Sequence, residues 1–316
     1  MPNITALIQQ LAGGDYYAKV DWRKAYNQIR VKEGSEWKLA FQCHRGLFQP
    51  TVMPFGPKTA PSHMQRFVTW MCQDFLAEGW LINLLDDFII KTTGTVADHI
   101  THITRYLTRL MQNHIYIKES KCQWFVKEVP FVGFLVNKYG YTKQPEKVEA
   151  IKKWGTPSNV KEVRAFTGLV NFYRAFATQL STISKPLYDL THKNTKFHWG
   201  PKEQEAFEKI KEILTADVFL MFPDHEKPFY LFFDSSDLGT GAVLQQEDEF
   251  NRLRPIEYYS YKWNKSEYNY STPDKELYGL ILALKHWYHL LFGSKHTIFV
   301  QTDHKSSSSI HLYVHI

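Results

Sequence analysis

The sequence predicts an α+β chain in which an antiparallel sheet with helices on one face is followed by a helical segment and then by a unit of α/β type. Three observations predict it. Residues 16–136 read in the order strand, helix, hairpin, helix, strand. Residues 145–214 repeat apolar positions at helical spacing. From residue 229 onward, four short strands and one helix carry acids at two strand ends and one helix start.

Composition sets the limits. A chain of 316 residues with 44% hydrophobic and 16% aromatic side chains can bury two or three cores. Collagen-like, low-complexity and solenoid patterns are missing from it. The start, MPNITALIQQL, lacks a basic region before an apolar core, and no run approaches the roughly 20 apolar residues of a membrane span, so an intracellular protein without a membrane partner is expected. Cys43, Cys72 and Cys122 form no CxxC pair, which fits a reducing compartment and excludes a cysteine-rich zinc site. Net charge is +6, and residues 1–150 hold most of it, with 18 Lys and Arg against 13 Asp and Glu. A basic first half suits nucleic acid, whose phosphates dominate affinity, and equally suits an ordinary soluble surface.

In chain order, Tyr16–Val31 (YYAKVDWRKAYNQIRV) enters as a strand through Ala18 and Val20 and delivers Asp21 at its carboxyl end. Tyr26, five positions on, is compatible with a platform for a sugar or base or with a core ring. A second extended segment is expected over Trp37–Gln42. MPFGPKTAP, residues 53–61, contains three prolines and a glycine and cannot be regular helix; Pro54–Lys58 is either a turn or a pocket wall. After Pro61, Met64, Phe67, Val68, Met71, Cys72, Phe75 and Leu76 mark one buried helical face, with Gln65, Arg66 and Gln73 on the polar one.

Leu81–Lys91 (LINLLDDFIIK) reads as strand, tight turn, strand, with Asp86 and Asp87 at the tip. The two acids either make the turn, since Asp tolerates its dihedrals, or form a site. A helix follows over Asp98–His114, then strands over Ile115–Val126 and Pro130–Val136. Pro145–Asp189 turns helical, with a capping box from Asn159 and Glu162, and Gly200 and Pro201 open another helix. MFPDHEKP, residues 221–228, is a linker. In the last unit FYLFFD ends in Asp234, a helix from about Pro273 carries Glu276, and HTIFVQTD ends in Asp303.

Asp21 and the hairpin tip can lie side by side at one sheet edge. Carboxylates so placed can hold two hard divalent cations roughly 3.5–4 Å apart, which activate a 3′-hydroxyl and bind the leaving pyrophosphate. Mg²⁺ suits the task because it takes few protein carboxylates. The same logic serves phosphodiester hydrolysis at Asp234, Glu276 and Asp303.

VDWRKAYNQIRV, RGLFQPTVMPFGPKTAPSHMQ, LLDDFII, IYIKESKCQWFVKEVPFVGFLV, EVRAFTGLVNFYRAF and FFDSSDLGTGAVLQQ resemble, in order and spacing, the reverse transcriptase and ribonuclease H segment of Ty3/gypsy-type retrotransposon polyproteins. The resemblance implies a right-hand polymerase palm over residues 1–142, a helical thumb and linker over 143–225, and a ribonuclease H-like domain over 226–316. It implies catalytic, metal-holding roles for Asp21, Asp86 and Asp87, with Asp21 and Asp86 the more direct ligands, and for Asp234, Glu276 and Asp303 in the last domain. Tyr26 would stack under the incoming sugar and reject a 2′-hydroxyl; Phe55 and Gly56 would line the nucleotide pocket with Gln65 behind them; Lys121 would close on the triphosphate. The FVGF stretch, with Phe131 and Gly133, would grip the primer end.

Two Mg²⁺ per site, replaceable by Mn²⁺, are implied as cofactors. The implied partners are an RNA template, a DNA primer, the RNA–DNA hybrid, deoxynucleoside triphosphates, and neighbouring polyprotein segments such as protease and integrase. Cytoplasm, virus-like particle or nucleus is the implied location. Three departures carry expectations of their own. Leu84 stands where the family usually has an aromatic ring, two positions before the first hairpin acid. The chain starts about twenty residues before Asp21, which predicts that the fingers are largely absent. The tail SSSSIHLYVHI offers no fourth ribonuclease H carboxylate and predicts a truncated copy. Two functions therefore stand: an RNA-directed DNA polymerase with attached ribonuclease H, and a catalytically inactive remnant that at most binds nucleic acid.

Overall fold

The computed structural model describes residues 3–193 and 195–302, in two compact units that divide after Tyr139. In the first unit α1 (Ile4–Gln10) leads into β1 (Tyr16–Asp21), and β2 (Phe41–Cys43) and β3 (Gly46–Phe48) form a separate two-stranded ribbon. There follow α2 (Ala60–Met71), α3 (Gln73–Ala77), β4 (Leu81–Leu84), β5 (Asp87–Thr92), α4 (Val96–Gln112), β6 (Gln123–Val126), β7 (Glu128–Phe131) and β8 (Phe134–Asn137). The main sheet has the order β4-β5-β1-β6, with antiparallel neighbours throughout.

Strand alternation decides which residues this sheet buries. Ala18 and Val20 of β1, with Phe88 and Ile90 of β5, share one core with Met64 and Val68 of α2 and with Ile103, Tyr106 and Leu110 of α4. Tyr17, Lys19 and Asp21 must then point to the face away from these helices. Trp22 fixes the end of β1: its ring stacks on Phe88 at 4.4 Å and its indole N–H donates to the Tyr106 hydroxyl at 3.1 Å. Pro61 sits in the first turn of α2, where its missing N–H costs nothing. A capping box of Thr95 and Asp98 starts α4.

Two expected strands are shorter than the sequence suggested. Within Trp37–Gln42 only β2 is extended, because Glu36–Leu39 closes a 3-10 turn whose Glu36 carboxylate is held by Arg30 at 2.9 Å. Within Ile115–Val126, Ile117 makes one isolated bridge to Trp22 and Glu119–Lys121 coils before β6 begins.

The second unit opens with β9 (Gly140–Lys143), then α5 (Pro145–Lys152), α6 (Val160–Phe172), α7 (Leu180–Ile183), α8 (Lys185–Asp189), α9 (Pro201–Thr215) and β10 (Leu220–Met221), which pairs with β9. Phe166 of α6 meets Phe207 of α9 at 4.7 Å. Next come β11 (Phe229–Ser235), β12 (Gly239–Glu247), β13 (Leu253–Lys262), α10 (Thr272–His286), α11 (Tyr288–Leu291) and β14 (Ile298–Thr302). Their sheet has the order β13-β12-β11-β14, with β14 parallel to β11. The helices of 143–225 and this sheet thus belong to one compact unit.

Leu280 and Ala283 of α10, with Trp287 just past its end, close the core over Leu231, Phe233 and Leu244. The contact is tight at Gly279, where an added Cβ would lie 2.5 Å from Ser235 Oγ and 2.7 Å from Thr240 Oγ1. Gly279→Ala is therefore expected to cost about 1–3 kcal/mol through overpacking, read as a lower urea midpoint. Gly168→Ala, at an exposed position of α6 where a Cβ meets nothing within 4 Å, is the control and should be neutral or stabilising by about 0.5–1 kcal/mol.

Candidate active site

The pairing of β1 with β5 sets the site. Asp21 and Asp87 are direct partners across the two strands, so their side chains share the face away from the helices. The backbone of Asp21 is gripped from the segment before β6: its N–H donates to Cys122 Sγ at 3.5 Å and its carbonyl accepts from Lys118 N–H at 2.8 Å. The same segment brings Lys121 Nζ to 3.7 Å from Asp21 Oδ2.

The hairpin differs from the expected Asp–Asp turn. Leu84 pairs with Asp87, so the two turn residues are Leu85 and Asp86, and Asp87 already belongs to β5. Leu85, not an Asp, takes the left-handed backbone at φ 57, the pattern of a type II′ turn whose first central position favours glycine. Left-handed backbone at a residue with a Cβ persists when its surroundings over-determine it. Here they do: Gln65 Oε1 accepts from Leu85 N–H at 3.1 Å, Asn83 Nδ2 donates to the Leu85 carbonyl at 2.8 Å, and Gln65 Nε2 donates to Asn83 Oδ1 at 2.7 Å. Gln65, expected behind a nucleotide pocket, spends both ends of its amide on this brace, and Asn83 is only 3% exposed.

Tyr26 lies against Phe55 with ring centroids 5.1 Å apart, and Phe55 is largely exposed. Burial first, and the charge of Asp86 second, push the Tyr26 hydroxyl above its ordinary pKa, so Asp86 and Tyr26 face one environment. Gly56 adopts φ 115, which a side chain would strain. The loop is tied to the Tyr26 segment by Asn27 Nδ2, which donates to the Met53 carbonyl at 3.1 Å, and by Met53 N–H, which donates to the Ile29 carbonyl at 2.9 Å. Leu84 is half-buried at the end of β4. At the β7–β8 hairpin Phe131 is fully buried and cannot grip a ligand with its ring; the turn itself is Val132 and Gly133, at φ 45 and 82.

A residue absent from the sequence reading joins the acids. Lys19 Nζ lies 2.6 Å from Asp87 Oδ1. Asp86 makes no hydrogen bond or ion pair among the described residues. Among the described residues no group of three or more His, Cys, Asp or Glu side chains converges to hold a metal by itself. Asp86 has no cation beside it and Asp21 meets only the longer 3.7 Å contact of Lys121, and one or two carboxylates completed by water and substrate phosphates is the donor set Mg²⁺ prefers.

In the second unit Asp234 is exposed near the carboxyl end of β11 and borders a cavity of about 300 Å³ with Phe232, Ala242, Gln301 and Thr302. Glu276 stands on α10, whose start is fastened to β11 by Ser235 Oγ donating to the Lys275 carbonyl at 3.2 Å. Asp303 lies outside the described residues.

Residues 1–136 match the family model of reverse transcriptase (RNA-dependent DNA polymerase), and residues 199–298 match that of the RNase H-like domain found in reverse transcriptase. Both families are in general dependent on divalent metal. The chain is 35% identical over 306 residues to the transposon Tf2-3 polyprotein of Schizosaccharomyces pombe and 34% identical to the Tf2-7 polyprotein, covering 97% of itself. It spans 23% of the length of these relatives. Two solved structures of the foamy viral protease-reverse transcriptase share the fold at 22% identity: one in complex with double-stranded DNA, with TM-score 0.80 over 96% of this chain and 52% of that one, and one in complex with RNA/DNA hybrid, with TM-score 0.74 over 95% and 40%.

Asn83→Leu would leave the Leu85 carbonyl and the Gln65 amide without their partner, at an expected cost of about 1–3 kcal/mol in urea unfolding. Leu85→Gly in that background should recover part of the loss, because glycine holds positive φ without a brace. Failure of Leu85→Gly to recover any stability would show that the brace does not hold the turn.

Proposed function

The chain belongs to the reverse transcriptase and ribonuclease H region of Ty3/gypsy-type retrotransposon polyproteins, and from that premise we propose that it copies an RNA template into DNA and carries an attached hybrid-degrading nuclease. The observation that carries this reading is the register of Asp21 against Asp87, with Asp86 at the adjoining tip and Tyr26, Phe55 and Lys121 around it.

Asp21 and Asp86 would hold Mg²⁺, or Mn²⁺ in its place. When bound, the ions activate the primer 3′-hydroxyl and neutralise charge on the transferring phosphoryl. Lys121 meets the triphosphate as a point charge. The Tyr26 ring lies under the sugar, where a 2′-hydroxyl would collide with it, and Phe55 with Gly56 walls the nucleotide on the other side. The backbone of Val132 and Gly133, rather than the Phe131 ring, contacts the primer end. In the second unit Asp234, Glu276 and Asp303 would hold the ions for hydrolysis of the RNA strand. The substrates are thus an RNA template, a DNA primer, their hybrid and deoxynucleoside triphosphates, with protease and integrase segments as covalent neighbours in the polyprotein.

Primer extension on an RNA template with Mg²⁺ tests the reading. Asp86→Asn and Asp21→Asn are each expected to lower extension on the order of 10³-fold or more, as residues acting in one unit do, with hybrid binding kept. Salt-dependent hybrid binding by the unsubstituted chain without any synthesis would instead favour a remnant that only binds nucleic acid.

A further inference from the structure

Lys19 occupies a junction that neither the acids nor the nucleotide pocket accounts for. It lies on β1 two residues before Asp21 and therefore on the same sheet face. Its ammonium is 2.6 Å from Asp87 Oδ1 and donates to the Pro130 carbonyl at 3.0 Å. Pro130 belongs to β7, two residues before the Val132–Gly133 turn, so one cation touches both the strand of the second hairpin acid and the hairpin expected at the primer end. The Lys19 side chain is 19% exposed and that of Asp87 35%, so the pair is screened less than an open surface pair.

Two consequences follow from the charge and the geometry. The ammonium offsets Asp87 at 2.6 Å, whereas Asp21 meets only the longer 3.7 Å contact of the exposed Lys121 and Asp86 meets none, so Asp21 and Asp86 are the carboxylates more open to a divalent cation. It also gives the Pro130 carbonyl a charge-assisted donor anchored on the strand of Asp21. We propose that Lys19 is a positioning residue: it withholds Asp87 from the metal and sets the β7–β8 hairpin, and with it the primer end, at a fixed place relative to Asp21 and Asp86. The proposal rests on the polymerase reading of these acids. Lys19 itself touches no substrate and acts through Asp87 and Pro130.

Two measurements on the full chain separate this proposal from that reading. Mn²⁺ binding, followed by electron paramagnetic resonance of the free ion, needs no turnover. Lys19→Met, of similar length and no charge, should bind Mn²⁺ about tenfold more tightly because Asp87 is released, and Asp87→Asn in the same background should return affinity to that of the unsubstituted chain. Steady-state primer extension is the second measurement. Lys19→Met should lower kcat roughly 10–100-fold, the scale on which a misplaced reacting group loses rate, while KM for the deoxynucleoside triphosphate stays within about twofold. Lys19→Arg, which keeps the charge, should recover part of kcat. Mn²⁺ affinity equal to or below that of the unsubstituted chain in Lys19→Met overturns the proposal, as does a loss confined to KM. If the unsubstituted chain makes no product, the polymerase reading fails, and the Mn²⁺ measurement still decides the role of Lys19. Should Lys19→Met fail to fold, Lys19→Gln carries both measurements.

Discussion

The structure of the first unit depends on the antiparallel pairing of β1 with β5. A one-residue slip in that register would turn every side chain of one strand to the opposite face, exposing Val20 or Phe88 and burying an acid. The core residues on one face therefore hold the carboxylates on the other: Ala18, Val20, Phe88 and Ile90 are each fully buried, and Asp21 and Asp87 are fixed as partners by the same alternation. The chemistry is placed by apolar packing, and the acids contribute little to it.

Much of this was legible in the sequence because it rests on local periodicity. The period-2 run into Asp21, the helical face from Met64 onward and the apolar arms around Asp86 and Asp87 each announce their element, and the ordered motifs join them to one family. The supports of the site were harder to read, because they join residues far apart in the chain. Gln65 and Asn83 meet from a helix and a strand 18 residues apart, and Lys19 reaches Pro130 across 111 residues. A signal existed in each case: a lone Asn inside an apolar strand, and a Lys two positions before Asp21, hence on its face. The Leu85 backbone had no such signal, since nothing in the residue type favours a left-handed turn. The overlong strand expected at Trp37–Gln42 failed for a related reason, the tie between Arg30 and Glu36 that holds a helical turn.

The two candidate sites use the fold differently. The first gathers acids from a central strand and an adjacent hairpin tip, so its geometry is a matter of register. In the second, Asp234 ends a strand and Glu276 rises from a helix, so their relation depends on how closely α10 lies on its sheet, which Gly279 permits by having no side chain between Ser235 and Thr240. The positive-φ residues Leu85 and Val132 sit at the tips of the β4–β5 and β7–β8 hairpins of the first unit, conformations that persist only where the surrounding structure over-determines them.

The Leu85 amide has a consequence for motion. A two-residue turn at a sheet edge is ordinarily among the first parts of a protein to open, because its N–H groups face water. Here the N–H at the tip is donated inward to Gln65, on a helix whose Met64 and Val68 are wholly buried. The tip can therefore release that proton to solvent only when the Gln65 side chain lets go, and its amide exchange should track the opening of the α2 face rather than the fluctuation of a loop. The most exposed acid of the first site is thus carried on a turn that shares the rigidity of the core beneath it.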